Sequence, residues 1–334
     1  MCTAIVFGEK NRYFGRNLDY DMSFGESVVV VPRNYNLSFR YAPDMKKHYA
    51  FIGMAHVAEN YPLLYEATNE KGLSMAGLNF VGNCHYSSSA LDMHENVCQF
   101  ELIPYIMGKC ATVKDAKKVL ERLNLLGEGF KPELPVAQLH WLIADAEQCV
   151  VLEVTSCGVN IFCNKTGVLT NNPPFEFHLD NLNLYRNLSS ADPEAGFGMD
   201  VPFNMFSRGM GAFGLPGDWS STSRFVRAAF VRANAMEAMR RDGARFEKTC
   251  GADEENASVA QFFHILSSVE MVKGSVAVGD RFEFTQYSSC CDTERGVYYF
   301  RTYDENFVRC VGMNECDLDS DELISVAPEH CKRL

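Results

Sequence analysis

Cysteine stands directly behind the initiator methionine in the opening MCTAIVFG. Methionine aminopeptidases trim Met1 when the next side chain is small, so the mature chain would begin with an amine and a thiol on one residue. A thiol attacks only as the thiolate and needs a base or a cation beside it. At an amino-terminal cysteine the base is built in: an α-amine titrates at about 7.7–8.0, so near neutral pH a useful fraction can accept the thiol proton. No catalytic histidine is then required. The alternative for Cys2 is a small hydrophobe that opens a buried strand.

The next polar cluster is GRNLDYD, with Arg16 and Asp19 three residues apart. Converging on Cys2, Arg16 would stabilise the thiolate and Asp19 would hold and polarise the amine. Odd spacing on a regular strand sends two side chains to opposite faces, so convergence calls for a twist, bulge or strand end near Asp19. The competing assignment is a solvated ion pair. Amide hydrolysis also needs donors aimed at the oxygen that becomes negative. Asn79 in AGLNF, and Asn171 and Asn172 in LTNNPPF, could supply them without adding charge. Turn chemistry is the alternative for each, because Asn and Pro cluster where strands end.

The surrounding pattern predicts the elements that would carry these residues. CTAIVF, the polar GEKNR and YFGRNLDY form a hairpin that puts the amino terminus inside a sheet, followed by SVVVVP. LSMAGLNF is a further strand after the turn NEKG. Residues 97–125 carry apolar positions at helical spacing in two helices, with Thr112 as N-cap of the second. LHWLIADAEQCVVLEV, VNIFC and GVLTNNP form a meander. Helical spacing marks SRFVRAAFVRANAMEAMRR, pauses in the polar GADEENAS and resumes in VAQFFHILSSV. RFEFTQYSSCCD, GVYYFRTYD and FVRCVGM close the chain as strands. This alternation predicts sheets covered by helices in one domain. The segment 186–220, rich in Gly, Pro, Asn and Ser, also holds Phe197, Phe203, Met205, Phe206 and Phe213, and loops of that length are usually functional or involved in assembly.

The 334 residues can bury a large core, and a formal charge of -12 without a basic stripe argues against a nucleic-acid partner. No apolar run is long enough to span a bilayer and no signal peptide opens the chain. Thirteen cysteines, none in a C-x-x-C pair, fit a reduced cytosolic interior rather than a disulfide scaffold. Adjacent Cys290 and Cys291 are expected to be ordinary thiols. The sequons at Asn36, Asn164, Asn187 and Asn256 lack a secretory context.

In this order and at these spacings, MCT, FGRNLD, NEKGLSMAGLNF, GVLTNNPPF and GLPGDWSSTSRFVRAAF resemble the choloylglycine hydrolase family of N-terminal-nucleophile hydrolases. FFHILSSV, MVKGS and TQYSSC extend the resemblance over nearly the whole chain. It implies an α+β fold, a four-layer αββα sandwich, with Cys2 as nucleophile and, through its amine, as base. It implies orienting roles for Arg16 and Asp19, oxyanion contacts from Asn79 and Asn171, and a polar network completed by Arg224 of SRF. Asn172 falls on a position that varies in the family.

Within the family the chain is most similar to the intracellular bile salt hydrolases of gut bacteria. That implies cleavage of glycine- or taurine-conjugated bile acids through a thioester. An apolar slot would hold the steroid, built from loops that offer Leu18, Met22, Phe130 and Leu134. It also implies no metal or organic cofactor, no nucleic-acid or membrane partner, a cytoplasmic location and a homotetramer assembled through 186–220. The same machinery would serve a penicillin V acylase or an acyl-homoserine lactone acylase, although asparagine rather than tyrosine at position 79 favours bile acids. A non-catalytic binding protein on the same fold is the remaining alternative.

Overall fold

The computed structural model describes residues 1–194, 198, 203–242, 254–326 and 331–333. Phe197 and Cys250 lie outside them, as does the side chain of Asn256. The strands form two eight-stranded antiparallel sheets. The first contains β1 (Cys2–Phe7), β2 (Tyr13–Tyr20), β12 (Val168–Leu169), β13 (Val276–Val278), β14 (Arg281–Asp292), β15 (Val297–Thr302), β16 (Arg309–Gly312) and β18 (Lys332–Arg333). Its order is β12-β1-β2-β14-β15-β16-β18, with β13 paired to β14. The amino-terminal strand is thus interior to its sheet, flanked by β12 and β2.

The second sheet contains β3 (Ser27–Val31), β4 (Phe51–Ala58), β5 (Tyr61–Asn69), β6 (Ser74–Asn79), β9 (Leu139–Ala144), β10 (Cys149–Thr155), β11 (Gly158–Cys163) and β17 (Ile324–Val326). It runs in the order β11-β10-β9-β6-β5-β4-β3-β17. The α-helices among the described residues are α1 (Leu102–Lys109), α2 (Val113–Leu120), α3 (Phe175–Leu182), α4 (Ser221–Asp242) and α5 (Glu254–Ser267). Thr112 caps α2 as its sequence predicts, accepting from the Asp115 amide.

The uninterrupted valines of β3 show why the sheets sit between two helical layers. Val28 and Val30 pack into the core shared by both sheets and by α3, α4 and α5, while Val29 and Val31 pack against α1 and α2. A strand buried on both faces reads as a continuous apolar run, and each such side chain contributes roughly 1.5–3 kcal/mol. The result is the four-layer αββα sandwich.

Two stretches depart from the sequence pattern. The helical pattern at 97–125 is framed by a short parallel pair, β7 (Glu95–Cys98) and β8 (Leu123–Leu126), because the ends of that stretch pair with each other. Helix α5 begins at Glu254, inside the polar GADEENAS expected to be a break. Cys290 and Cys291 are free thiols and buried, as expected of ordinary core cysteines. No described helix is long and apolar enough to cross a membrane.

Candidate active site

The hairpin register sets the site. Cys2 lies opposite Leu18 and Ala4 opposite Arg16. By the two-residue period, Arg16, Leu18 and Tyr20 share the face turned to the second sheet, and Asn17 and Asp19 the face turned to the helices. Asn17 accordingly donates to the Leu266 carbonyl of α5 at 3.1 Å. Gly15 is required just before Arg16: a Cβ there would lie 2.0 Å from the Ser289 carbonyl oxygen of β14.

Arg16 and Asp19 lie on opposite faces of β2, as their odd spacing predicts for a regular strand. The register does slip beside Asp19, but in the facing strand: Thr285 pairs with Asp19 and Tyr287 with Leu18, leaving Gln286 as the extra residue of β14. Asp19 keeps its helix-side orientation, with its backbone paired to Met1, while Arg16 lines a cavity together with Cys2 on the other side of the sheet.

Arg16 is wholly buried and its guanidinium is gripped by backbone. Its Nη1 donates to the carbonyls of Gly77 at 2.6 Å and Tyr65 at 3.2 Å, and its Nε to that of Asn17 at 3.4 Å. Tyr65 is the extra residue where the β4–β5 register shifts, so its carbonyl is spare to the ladder. Beside it, the buried Glu66 lies 3.9 Å from Nη1 and accepts from the hydroxyls of Tyr287, Ser289 and Tyr298. Nη2 of Arg16 has no partner and is buried. Burial opposes the Arg16 charge, but Cys2, Tyr287, Glu66 and Asp19 outweigh it and push its pKa up.

On the helix side, Asp19 Oδ1 accepts from Thr285 at 2.6 Å and Oδ2 has no partner. Burial raises the Asp19 pKa, against Arg224, the amino terminus and Thr285. The amine of Met1 donates to the Asp19 carbonyl at 2.7 Å and pairs with Glu283. Burial lowers the pKa of this amine, with Arg224 and Arg16 acting in the same direction against Cys2 and Asp19.

Arg224 and Asn171 hold the backbone of Cys2. Arg224, buried in the first turn of α4, gives Nη1 to the Cys2 carbonyl and to Thr3 Oγ1 at 2.7 Å, Nη2 to Asn171 Oδ1 at 2.8 Å, and Nε to the Trp219 carbonyl at 2.9 Å. The Cys2 amide donates to the same Asn171 Oδ1 at 2.7 Å. Asn171 Nδ2 in turn donates to the Asn79 carbonyl at 2.9 Å, tying the ends of β6 and β12 together.

A cavity of about 430 Å³ opens over this cluster. Cys2, Arg16, Leu18, Asn79, Phe130 and Leu134 all line it. Phe130 is stacked on Tyr61 and meets Phe100 edge-on, making an aromatic wall. Met22 does not line the cavity: β2 ends at Tyr20, and Met22 lies beyond it, 42% exposed, with its sulfur 3.4 Å from Arg281 Nη1. Phe24 takes the place on the wall expected of Met22. Asn172 does not line the cavity and donates to the Val81 carbonyl at 2.6 Å.

Sequence reasoning missed Glu66, Glu283, His140 and His178. Two glutamates and two histidines inside apolar strands and a short helix were the only signal, and a buried polar residue announces a partner without saying which.

A four-layer α+β sandwich with a thiol, a buried arginine and amide donors at the mouth of an apolar cavity defines an amidohydrolase. The model of the linear amide C–N hydrolases, choloylglycine hydrolase family, matches residues 2–326. The chain belongs to the choloylglycine hydrolase family. A bile salt hydrolase/transferase of Lactiplantibacillus plantarum is 47% identical over 97% of this chain and 96% of its own length. A crystal structure of a Cys-to-Ala variant of the conjugated bile acid hydrolase from Clostridium perfringens superposes with a TM-score of 0.87 at 32% identity, covering 99% of this chain and 98% of that one. Penicillin V acylase from Agrobacterium tumefaciens has a TM-score of 0.73 at 18% identity, with 100% and 98% covered, and shares the fold.

Proposed function

We propose that this amidohydrolase cleaves the amide bond of glycine- or taurine-conjugated bile acids, with Cys2 as nucleophile and its own α-amine as base once Met1 is removed. The observation that supports it best is the placement of Cys2 and Arg16 on the wall of a cavity whose remaining surface is mostly aliphatic and aromatic. A rigid apolar acyl group with a few polar substituents suits such a slot. The full-length similarity to a bile salt hydrolase/transferase points to the same substrate class.

In the proposed reaction the Cys2 amine takes the thiol proton and sulfur attacks the amide carbon. Arg16 Nη2 stabilises the thiolate before attack. The oxyanion is received by the Asn79 amide and by the second N–H of Asn171 Nδ2, whose first is committed to the Asn79 carbonyl. The protonated amine then delivers its proton to the leaving nitrogen and the C–N bond breaks, leaving a cholyl thioester. Water, deprotonated by the same amine, attacks that thioester and releases the free acid and the thiol. Asp19, with Oδ2 unpartnered, orients the amine, and Arg224 holds the residue by its carbonyl. Burial and the two arginines, which lower the Met1 amine pKa, would act on the Cys2 amine as well and favour its basic form.

Residues 1–334 are proposed to act as one cytoplasmic domain that assembles into a homotetramer through 186–220. Within that segment Phe206 is 88% and Phe213 83% exposed, as suits surface covered by another subunit. Sedimentation equilibrium tests the assembly. Parallel assays with glycocholate, taurocholate and penicillin V test the substrate class: turnover of both bile salts is expected, and turnover of penicillin V alone would overturn it.

A further inference from the structure

Beyond β12 the chain leaves its ladder, so the backbone groups of Thr170 and Asn171 must find partners elsewhere. They find side chains. The Asn171 amide donates to Ser221 Oγ at 2.8 Å. The Thr170 carbonyl receives His140 Nε2 at 2.9 Å, and the Asn171 carbonyl receives His178 Nε2 at 2.9 Å. His140 is itself held by Glu153, 3.1 Å from its Nδ1.

His178 has no such second anchor. It sits fully buried on α3, its ring stacked on Phe225 at 4.6 Å and 18°. Its Nδ1 is buried without a partner. Phenylalanine would fill the same space, stack on the same ring and carry no unsatisfied nitrogen, and an unpaired buried polar atom is costly. The one polar interaction the imidazole makes is the bond to the Asn171 carbonyl.

We propose that His178 is a positioning residue, retained to fix the backbone of Asn171 so that its side chain meets Cys2 and the developing oxyanion. This role rests on the reading of Asn171 given above. The Asn171 carboxamide must place Oδ1 on the Cys2 nitrogen and Nδ2 at the Asn79 edge simultaneously. A carbonyl released from His178 lets that peptide rotate and degrades both contacts.

The test compares His178→Phe, His178→Gln and Asn171→Ala, each assayed for kcat and KM with glycocholate and for thermal midpoint. His178→Phe keeps the stack and loses the donor; kcat is expected to fall about tenfold with KM within about twofold, and the midpoint not to fall. His178→Gln offers an amide N–H to the same carbonyl and is expected to bring kcat back to within about threefold of the parent, since positioning depends on the bond and not the ring. An unchanged kcat in His178→Phe, or a kcat loss that merely tracks a lowered midpoint, overturns the proposal. Should His178→Phe fail to fold, His178→Gln against His178→Met isolates the N–H at equal length, with the same expected split. Full activity in Asn171→Ala would instead sink the reading of Asn171. An inactive Asn171→Ala beside a fully active His178→Phe sinks the positioning role alone.

Discussion

Acid should destabilise this protein through His178, and the size of the effect can be worked out. Burial, helped by the charges of His140 and Arg224, brings the His178 pKa from 6.5 down to about 4, against the Asn171 carbonyl and Glu153. A histidine whose folded pKa is depressed is neutral in the folded chain where the unfolded chain would be charged. Its contribution is complete above the unfolded value, is lost as pH falls from 6.5 toward 4, and changes no further below that. Integrating between pH 7 and pH 5 gives a loss of about 2 kcal/mol. His178→Phe has no such proton to take up, so subtracting its curve removes every other titrating group. Urea unfolding of parent and variant at both pH values should show the stability of the parent relative to the variant falling by about 2 kcal/mol on acidification. A difference independent of pH would refute the assignment of a neutral, buried imidazole.

Three further substitutions probe other parts of the account. Arg224→Lys keeps the charge but cannot reach Cys2, Thr3, Asn171 and Trp219 together, so kcat should drop at least about a hundredfold in a glycocholate assay. Gly15→Ala drives a methyl into the Ser289 carbonyl and should destabilise the fold by about 3 kcal/mol or more by urea unfolding. Phe130→Ala removes the ring stacked on Tyr61 from the cavity wall; KM for glycocholate should rise about tenfold with kcat little changed.

Much of the fold was legible because strand and helix periods differ. The hairpin of CTAIVF and YFGRNLDY, the strands from Leu139 to Cys163 and the closing strands were each marked by alternation or by apolar runs between turn residues, whereas GVLTNNP, expected to continue the meander, supplies β12 to the other sheet beside β1. The candidate site was assembled around Cys2, whose chemistry as a nucleophile calls for an amine, a cation and amide donors. The disposition of Arg16 and Asp19 was not legible in full. Their odd spacing holds as on a regular strand, with the bulge falling instead in the facing β14, far along the chain from Asp19, where no local pattern could reveal it. Met22 failed for a related reason: apolar character near a motif does not say where a strand stops. Glu66, His140 and His178 were invisible because their partners are hydroxyls, carbonyls and a carboxylate scattered over strands and helices, joined only by tertiary packing.

The central claim is that Cys2 attacks and its own nitrogen carries the proton. Intact-mass measurement of rapidly quenched enzyme mixed with glycocholate tests this most directly, comparing the mature chain, Cys2→Ser and a form that retains Met1. The account predicts a chain lighter by one methionine that gains a cholyl adduct on a peptide beginning at Cys2, while the other two forms gain none and turn over no substrate. Undiminished hydrolysis by Cys2→Ser, or by a chain whose Cys2 nitrogen is still locked in a peptide bond to Met1, would contradict it.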